Sequence, residues 1–194
     1  MTIVLASASP RRQELLINAG IEFVVRPANI PEVRLPDESP KGFAERMAQE
    51  KARTIRDNVE AAHPQNENSL AVLGADTVVV IGNHVLGKPT NFGDAARMLR
   101  LLSGREHSVI TGVCLSGETF EDVRSETTIV YFGELSESDI KSYIKTGEPM
   151  DKAGAYAIQG MASRWISKIE GDYNNVVGLP VDLVLLMLRE HGVS

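Results

Sequence analysis

Five basic and two acidic side chains stand where packing alone would not place them: Arg11, Arg12, Lys51, Lys88 and Lys152, against Glu32 and Asp76. Cations together with carboxylates suit metal-assisted phosphoryl chemistry, in which hard oxygen ligands hold Mg²⁺ or Mn²⁺ and basic groups neutralise a phosphate chain. The first two arginines follow an apolar run, Ile3 to Ala6, and the small residues Ser7-Ala8-Ser9, which let a backbone come close to a ligand. Ser9 can cap a helix and Pro10 suits its first position. A helix N-terminus with two guanidinium groups in its first turn is an anion site, most naturally for phosphate. The same stretch also reads as a good helix start with solvated arginines. Lys51 occupies a gap in an apolar stripe formed by Phe43, Met47, Ile55 and Val59. Burying its charge unpaired is costly, so it either snorkels to the surface or reaches a cleft and meets an anion. Asp76 sits in the middle of an apolar strand, where a carboxylate must be paired, metal-bound or at a cleft. Beside it, Gly74 and Ala75 permit a bulge or the close approach of another group.

Other motifs narrow the chemistry. Residues 82–89, Gly-Asn-His-Val-Leu-Gly-Lys-Pro, follow the phosphate-loop pattern until the last position. Pro89 offers neither a hydroxyl for magnesium nor an N–H for phosphate, and it disfavours helical geometry at Lys88. The segment therefore reads as a hairpin turn with Lys88 at its exit. The four histidines, His63, His84, His107 and His191, show no metal spacing, and no HExxH, CxxC or GxSxG motif occurs. Cys114 lies in an apolar strand and reads as a packed thiol.

These residues need elements to position them. The patterning gives strands over 3–6 and 22–26, a helix over 9–19 stopped by Gly20, and a Pro-rich loop over 27–39 that by itself reads as a solvated connection. A long helix follows from Ser39 to about Ala62, then a polar break over 63–69 and a central strand over 70–81. Next come a helix over 94–102, paired strands over 107–115 and 124–132, and a helix over 136–146 opened by a Ser136/Asp139 capping box. Residues 147–160 are dense in glycine and small side chains, as in a functional lid or a close-packing crossover. A strand over 163–169 and a last helix from Val181 to about His191 complete the α/β pattern.

Composition bounds the function class. With 194 residues, 43% of them hydrophobic, the chain can build one sizeable α/β domain or two small lobes. A net charge of −6 argues against a nucleic-acid partner while leaving room for a small anion in a local basic pocket. A single cysteine fits a reducing compartment, and no apolar run approaches the length of a membrane span. The expectation is a cytoplasmic protein with neither membrane nor nucleic acid among its partners.

Four stretches then carry a resemblance: 6–16, with Ala-Ser-Ala-Ser-Pro-Arg-Arg followed by Glu14-Leu15-Leu16; Gly74-Ala75-Asp76-Thr77 with Lys88-Pro89; 151–160, with Asp-Lys-Ala-Gly-Ala-Tyr and Ile158-Gln159-Gly160; and Val176-Val177-Gly178-Leu179-Pro180. In this order they resemble the Maf family of nucleoside triphosphate pyrophosphatases, over nearly the whole chain. The resemblance implies one Maf-like domain over 1–194, an elongated mixed sheet with flanking helices in two lobes around a central cleft, related to the inosine-triphosphate pyrophosphatases. It implies hydrolysis of a nucleoside triphosphate to the monophosphate and pyrophosphate with Mg²⁺ or Mn²⁺. By the same resemblance Asp76 is the proton acceptor, Glu32 and Lys51 are needed for catalysis, and Glu32 and Asp76 hold the metal; sequence does not separate the base and ligand roles of Asp76. Ser7, Arg11, Arg12, Lys88 and Lys152 match substrate-binding positions. Arg11, Thr77 and Gln159 match positions that set base preference, in the combination of the branch favouring dTTP and UTP over 7-methyl-GTP, with CTP and modified pyrimidine nucleotides as further candidates. A housecleaning role, a homodimeric state and, as the alternative, a nucleotide-binding regulator of septum formation with little turnover are further family expectations. Ala8 and Ala157 stand where the family commonly has glycine, and Pro31 where an acidic residue is common.

Overall fold

The computed structural model describes residues 2–62 and 70–193. The polar break at 63–69, His63 included, lies outside the described residues. Among the described residues seven strands share one sheet: β1 (Thr2–Leu5), β2 (Phe23–Val25), β3 (Leu70–Ile81), β4 (His84–Leu86), β5 (Glu106–Ser116), β6 (Glu121–Phe132) and β7 (Ile166–Glu170), ordered β2-β1-β3-β5-β6-β7 with β4 paired to β3. The helices are α1 (Pro10–Asn18), α2 (Pro40–Ala62), α3 (Phe92–Leu102), α4 (Glu137–Lys145), α5 (Tyr173–Val177) and α6 (Val181–Glu190). The chain groups into two compact units. One comprises Met1–Asp76, Thr111–Glu126 and Gly178–Ser194; the other comprises Thr77–Ile110 and Thr127–Val177.

In the first unit β1 runs parallel to both β2 and β3. Parallel neighbours cannot be joined by a tight turn, so a helix crosses over each time, α1 between β1 and β2 and α2 between β2 and β3. Helix α1 starts where the sequence expects: Ser9 caps it by accepting from the Arg12 N–H, Pro10 occupies the first turn, and Gly20, at φ 72°, lies beyond its end. Helix α2 packs through alanines as well as through its large side chains. Ala44, Ala48 and Ala52, four residues apart, are fully buried. Glycines let the helix come this close. A Cβ on Gly74 would lie 2.1 Å from the Ala48 carbonyl oxygen, and one on Gly112 would lie 2.3 Å from that of Ala44. Of the two options open at Gly74, close approach is the one realised, within an unbroken β3. Val4, Ala6, Val72, Ile55 and the buried thiol of Cys114 complete this core. Burial pushes the Cys114 thiol up to about 12, which makes it a packing group rather than a nucleophile.

The second unit packs α3 and α4 over Val79, Ile81, Leu86, Val109, Val130 and Phe132. Residues 82–89 form the expected hairpin turn, with Gly82 at φ 54° and β4 antiparallel to β3. The capping box at α4 is present: Ser136 accepts from Asp139 N–H and Asp139 accepts from Ser136 N–H. Two expectations need correction. Ser163–Trp165 are not strand; they close a 3₁₀ turn, Met161–Trp165, so β7 begins at Ile166. The approach to α6 contains an extra short helix, α5, anchored by fully buried Asn175, whose amide donates to the Val109 carbonyl and Thr128 Oγ1. Neither feature has an apolar period long enough to read from sequence.

Candidate active site

The strand order places a site before any side chain is considered. The chain passes from β1 to β2 on one side and returns to β3 on the other, so the direction of winding reverses between β1 and β3. In parallel sheets such a reversal opens a crevice beyond the carboxyl ends of the strands. Leu5 is in register with Leu73, and Ala6 N–H donates to the Leu73 carbonyl at 2.9 Å. Ser7 and Asp76 therefore follow the last paired residues of the two strands at that crevice.

The arginine at the second helical position ties this edge together. Arg12 is buried, and its guanidinium donates to the Gly178 carbonyl at 2.8 Å, the Ala75 carbonyl at 2.8 Å and Ser7 Oγ at 3.2 Å. Gly178, at φ 133°, takes a backbone conformation open to glycine and presents its carbonyl to Arg12. Ser7 Oγ also accepts from the Ser9 N–H at 3.2 Å. Burial lowers the Arg12 pKa, with Asp76 and Glu32 opposing that shift. The guanidinium thus braces the loop after β1, the residue before Asp76 and the segment leading to α6. Arg11 stands half-buried in the same first turn.

A chain of charge leads outward from the core. Lys51, the gap in the α2 stripe, is buried, and its ammonium donates to Asp76 Oδ1 and Glu32 Oε1, each at 2.6 Å. The side chains of Asp76 and Lys51 are 8% and 9% exposed, whereas that of Glu32 is 46% exposed, so the row runs from interior to solvent. Burial raises the Asp76 pKa above the usual aspartate value, and Lys51 and Arg12 oppose it. Desolvation outweighs attraction here, as it often does for buried pairs. Of the readings open for Lys51, snorkelling is ruled out; it meets carboxylates. The loop over 27–39 is more than a solvated connection, because it delivers Glu32 to this point. No local sign of that contact stands in the sequence, because Glu32 lies in the aperiodic loop, 19 positions before Lys51 on α2.

Two carboxylates converging on one cation offer hard oxygen donors in the number Mg²⁺ usually takes from protein when phosphates complete its shell. Among the described residues no group of three or more His, Cys, Asp and Glu is arranged to hold a metal ion. The donor set therefore fits a cation shared with a phosphate ligand and does not form an all-protein cage.

The second unit holds Thr77, Lys88, Lys152 and Gln159. Thr77 is partly buried in β3 next to Asp76, and Lys88 is exposed after β4. Lys152 donates to the Glu148 carbonyl at 2.7 Å and pairs with Asp151 at 2.5 Å. Gln159 is exposed at a turn between two short 3₁₀ stretches. Residues 147–160 thus carry candidate ligand groups on tight backbone. Sequence reasoning passed over two residues that shape this segment, Tyr143 and Glu148; the adjacent Gly160 was the available signal.

A family model described as "Maf-like protein" matches residues 2–191. A dTTP/UTP pyrophosphatase of Koribacter versatilis (strain Ellin345) is 55% identical, over 100% of this chain and 96% of its own. Proteins of the same name from Symbiobacterium thermophilum and Hahella chejuensis are 48% and 44% identical, covering 98% and 99% of this chain and 94% and 93% of theirs.

Proposed function

Since the chain belongs to the Maf-like protein family, we propose that it is a nucleoside triphosphate pyrophosphatase that hydrolyses dTTP and UTP to the nucleoside monophosphate and pyrophosphate. The observation that carries this reading is the buried Lys51–Asp76 pair opening onto Glu32 just beyond the point where the parallel pairing of β1 with β3 ends. The names of the full-length relatives support the substrate class.

In the mechanism Asp76 orients a water and takes its proton as the water oxygen attacks the α-phosphorus. The bond from that phosphorus to the bridging oxygen breaks, and pyrophosphate leaves with the electron pair. Burial raises the basicity of Asp76, which is what a proton acceptor requires. Lys51 positions the carboxylate and, with Lys88 and Lys152, offsets negative charge growing on the leaving group. A Mg²⁺ or Mn²⁺ ion held by Glu32 and Asp76 would polarise phosphoryl oxygens as a Lewis acid. Ser7 and Arg11 meet the triphosphate; Arg12 binds it through the loop it braces. Arg11, Thr77 and Gln159 read the base. The span 1–194 acts as one Maf-like domain, as a homodimer. A cytoplasmic location is supported by the lone cysteine, and the lack of a nucleic-acid partner by a net charge of −6; the role in the cell is housecleaning, removing modified pyrimidine nucleotides before polymerisation. No described helix is long and apolar enough to cross a membrane.

The test is pyrophosphate release with Mg²⁺ from dTTP, UTP, CTP, 5-methyl-UTP, pseudo-UTP and 7-methyl-GTP. Release from the pyrimidine nucleotides well above that from 7-methyl-GTP is expected. Tight binding without release would overturn the enzymatic reading in favour of a nucleotide-binding regulator.

A further inference from the structure

The exposed Gln159 sits on a turn whose two ends are fastened to side chains, one of them buried Tyr143 and the other partly buried Glu148. The Ala157 N–H donates to Tyr143 Oη at 3.1 Å, and the Gly160 N–H closes the turn onto the Ala157 carbonyl at 3.2 Å. The next N–H, that of Met161, donates to both carboxylate oxygens of Glu148, each at 3.2 Å. Tyr143 Oη in turn donates to Glu148 Oε1 at 2.8 Å, which joins the two fastenings. Tyr143 itself is fully buried on α4. Burial, with Glu148 close by, pushes its phenol upward, so it remains a donor to the carboxylate through the neutral range.

Backbone geometry is fitted to this clamp. A Cβ on Gly160 would lie 2.0 Å from Glu148 Oε1, so only a residue without one admits the carboxylate. Gly147, at φ 76°, and Pro149 fix the bend that brings Glu148 back beneath the turn. Thr146 Oγ1 accepts from the Glu148 N–H at 3.1 Å. Ile158, between the fastened ends, is buried, which leaves Gln159 as the exposed side chain of the turn.

We propose that Glu148, acting with Tyr143, is a positioning residue for base discrimination: the pair fixes the turn that carries Gln159, and so fixes where its amide meets the base. This rests on the reading that Gln159 reads the base. An amide presents a donor beside an acceptor. That pair complements the carbonyl and imino N–H of uracil or thymine, and by turning over it also complements the reversed edge of cytosine. A held turn fixes the distance and angle at which the amide reaches the base, so hydrogen bonds to the preferred base form without ordering the backbone; a slack turn loses that advantage. Glu148 touches neither base nor phosphate in this role. Its main-chain carbonyl, which holds Lys152, survives any side-chain substitution.

The test compares kcat/KM for UTP and for CTP in wild type, Gln159→Ala, Tyr143→Phe, Glu148→Gln, Glu148→Ala and the double variant Glu148→Ala/Gln159→Ala. Loss of a partly buried, charge-assisted contact to the backbone should lower the UTP-to-CTP ratio about fivefold to tenfold in Glu148→Ala, and by a smaller factor in Tyr143→Phe. Glu148→Gln, which keeps an acceptor for the Met161 N–H, should retain most of the ratio. Because Glu148 acts through Gln159, its removal from the Gln159→Ala background should change the ratio no further. A merely structural role would reduce turnover of both nucleotides alike and leave the ratio in place; that result overturns the proposal. Should Glu148→Ala fail to fold, an unchanged ratio in Tyr143→Phe has the same force. An unchanged ratio in Gln159→Ala, with wild type still hydrolysing UTP, means instead that the base reading has failed and the positioning role falls with it.

Discussion

Asp76 carries opposing demands that a single substitution can separate. Its folded pKa lies above the usual aspartate value of 3.8 because burial outweighs the help of Lys51. The native state therefore holds this proton to higher pH than the unfolded chain does. The carboxylate's contribution to stability falls as pH rises from the unfolded value through the folded one, and the cost persists at neutral pH. In metal-free protein, the Tm of Asp76→Asn measured against that of wild type should accordingly rise as pH increases from 3.8 through the folded value, because only wild type carries this ionisation. Melting curves of both proteins across that range check it; a difference that grows on acidification would contradict the assigned cause. The same variant should lose about 10² to 10⁴ in turnover of UTP, the span typical of a lost general base. Lys51→Met removes the other half of the pair. It should destabilise by about 3 kcal/mol at neutral pH, because breaking a buried ion pair strands a charge, and Asp76→Asn in the same chain should recover most of that. Denaturant melts of the two single variants and the double variant give the comparison. The charged residues of this row were legible in the sequence to the extent that each breaks an apolar pattern. Glu32 breaks none, since 27–39 has no pattern to break, and only the folded contact with Lys51 singles it out.

Helix α2 and strand β3 set the distance between Lys51 and Asp76, and Gly74 is the contact that allows it. Adding a methyl there drives a Cβ into the Ala48 carbonyl, 2.1 Å away, and the Ala52 amide nitrogen, 2.9 Å away. Such overpacking costs about 1–3 kcal/mol and must lift the helix from the strand. Gly74→Ala should therefore lose both stability and most of its turnover. Gly112→Ala meets the same helix one turn earlier, at the Ala44 carbonyl, 2.3 Å away. It should cost similar stability, while the folded fraction keeps a larger share of its activity. Chemical denaturation with turnover measured on the folded fraction separates the two; equal activity losses would refute the special role of Gly74. At this scale the sequence was informative where local chemistry decides. The bounds of β3 at Leu70 and Ile81, the Ser9 cap and the Ser136/Asp139 box all follow from nearby residues. It was uninformative where contacts decide. Ser163–Trp165 carry strand-compatible residues, yet the Glu148 carboxylate holds the Met161 N–H and starts a 3₁₀ turn there instead. Similarly, the Asn91 side chain caps α3, which sets its start two residues before the expected Asp94.

The whole molecule is acidic, with 26 acidic against 20 basic residues, yet the proposed ligand is a polyanion. Its recognition must then be local, concentrated in a few cations, and binding should report on them directly. Pyrophosphate at about a hundredfold excess over its Kd should stabilise the fold by about 2.7 kcal/mol, visible as a rise in Tm. Lys51→Met should abolish most of that rise; an undiminished shift would place the anion elsewhere. The chain also leaves and re-enters each unit repeatedly, at 76/77, 110/111, 126/127 and 177/178. Neither unit is thus a contiguous stretch that could be cut free. The Arg12 brace gives this connectivity a consequence in time. Its guanidinium, near the start of the chain, bonds the carbonyl of Gly178, which is translated 166 residues later. Domains ordinarily fold in the order in which they leave the ribosome. Here the loop after β1 cannot be completed until Gly178 has been made, so a nascent chain that stops short of that residue lacks the brace beside Asp76.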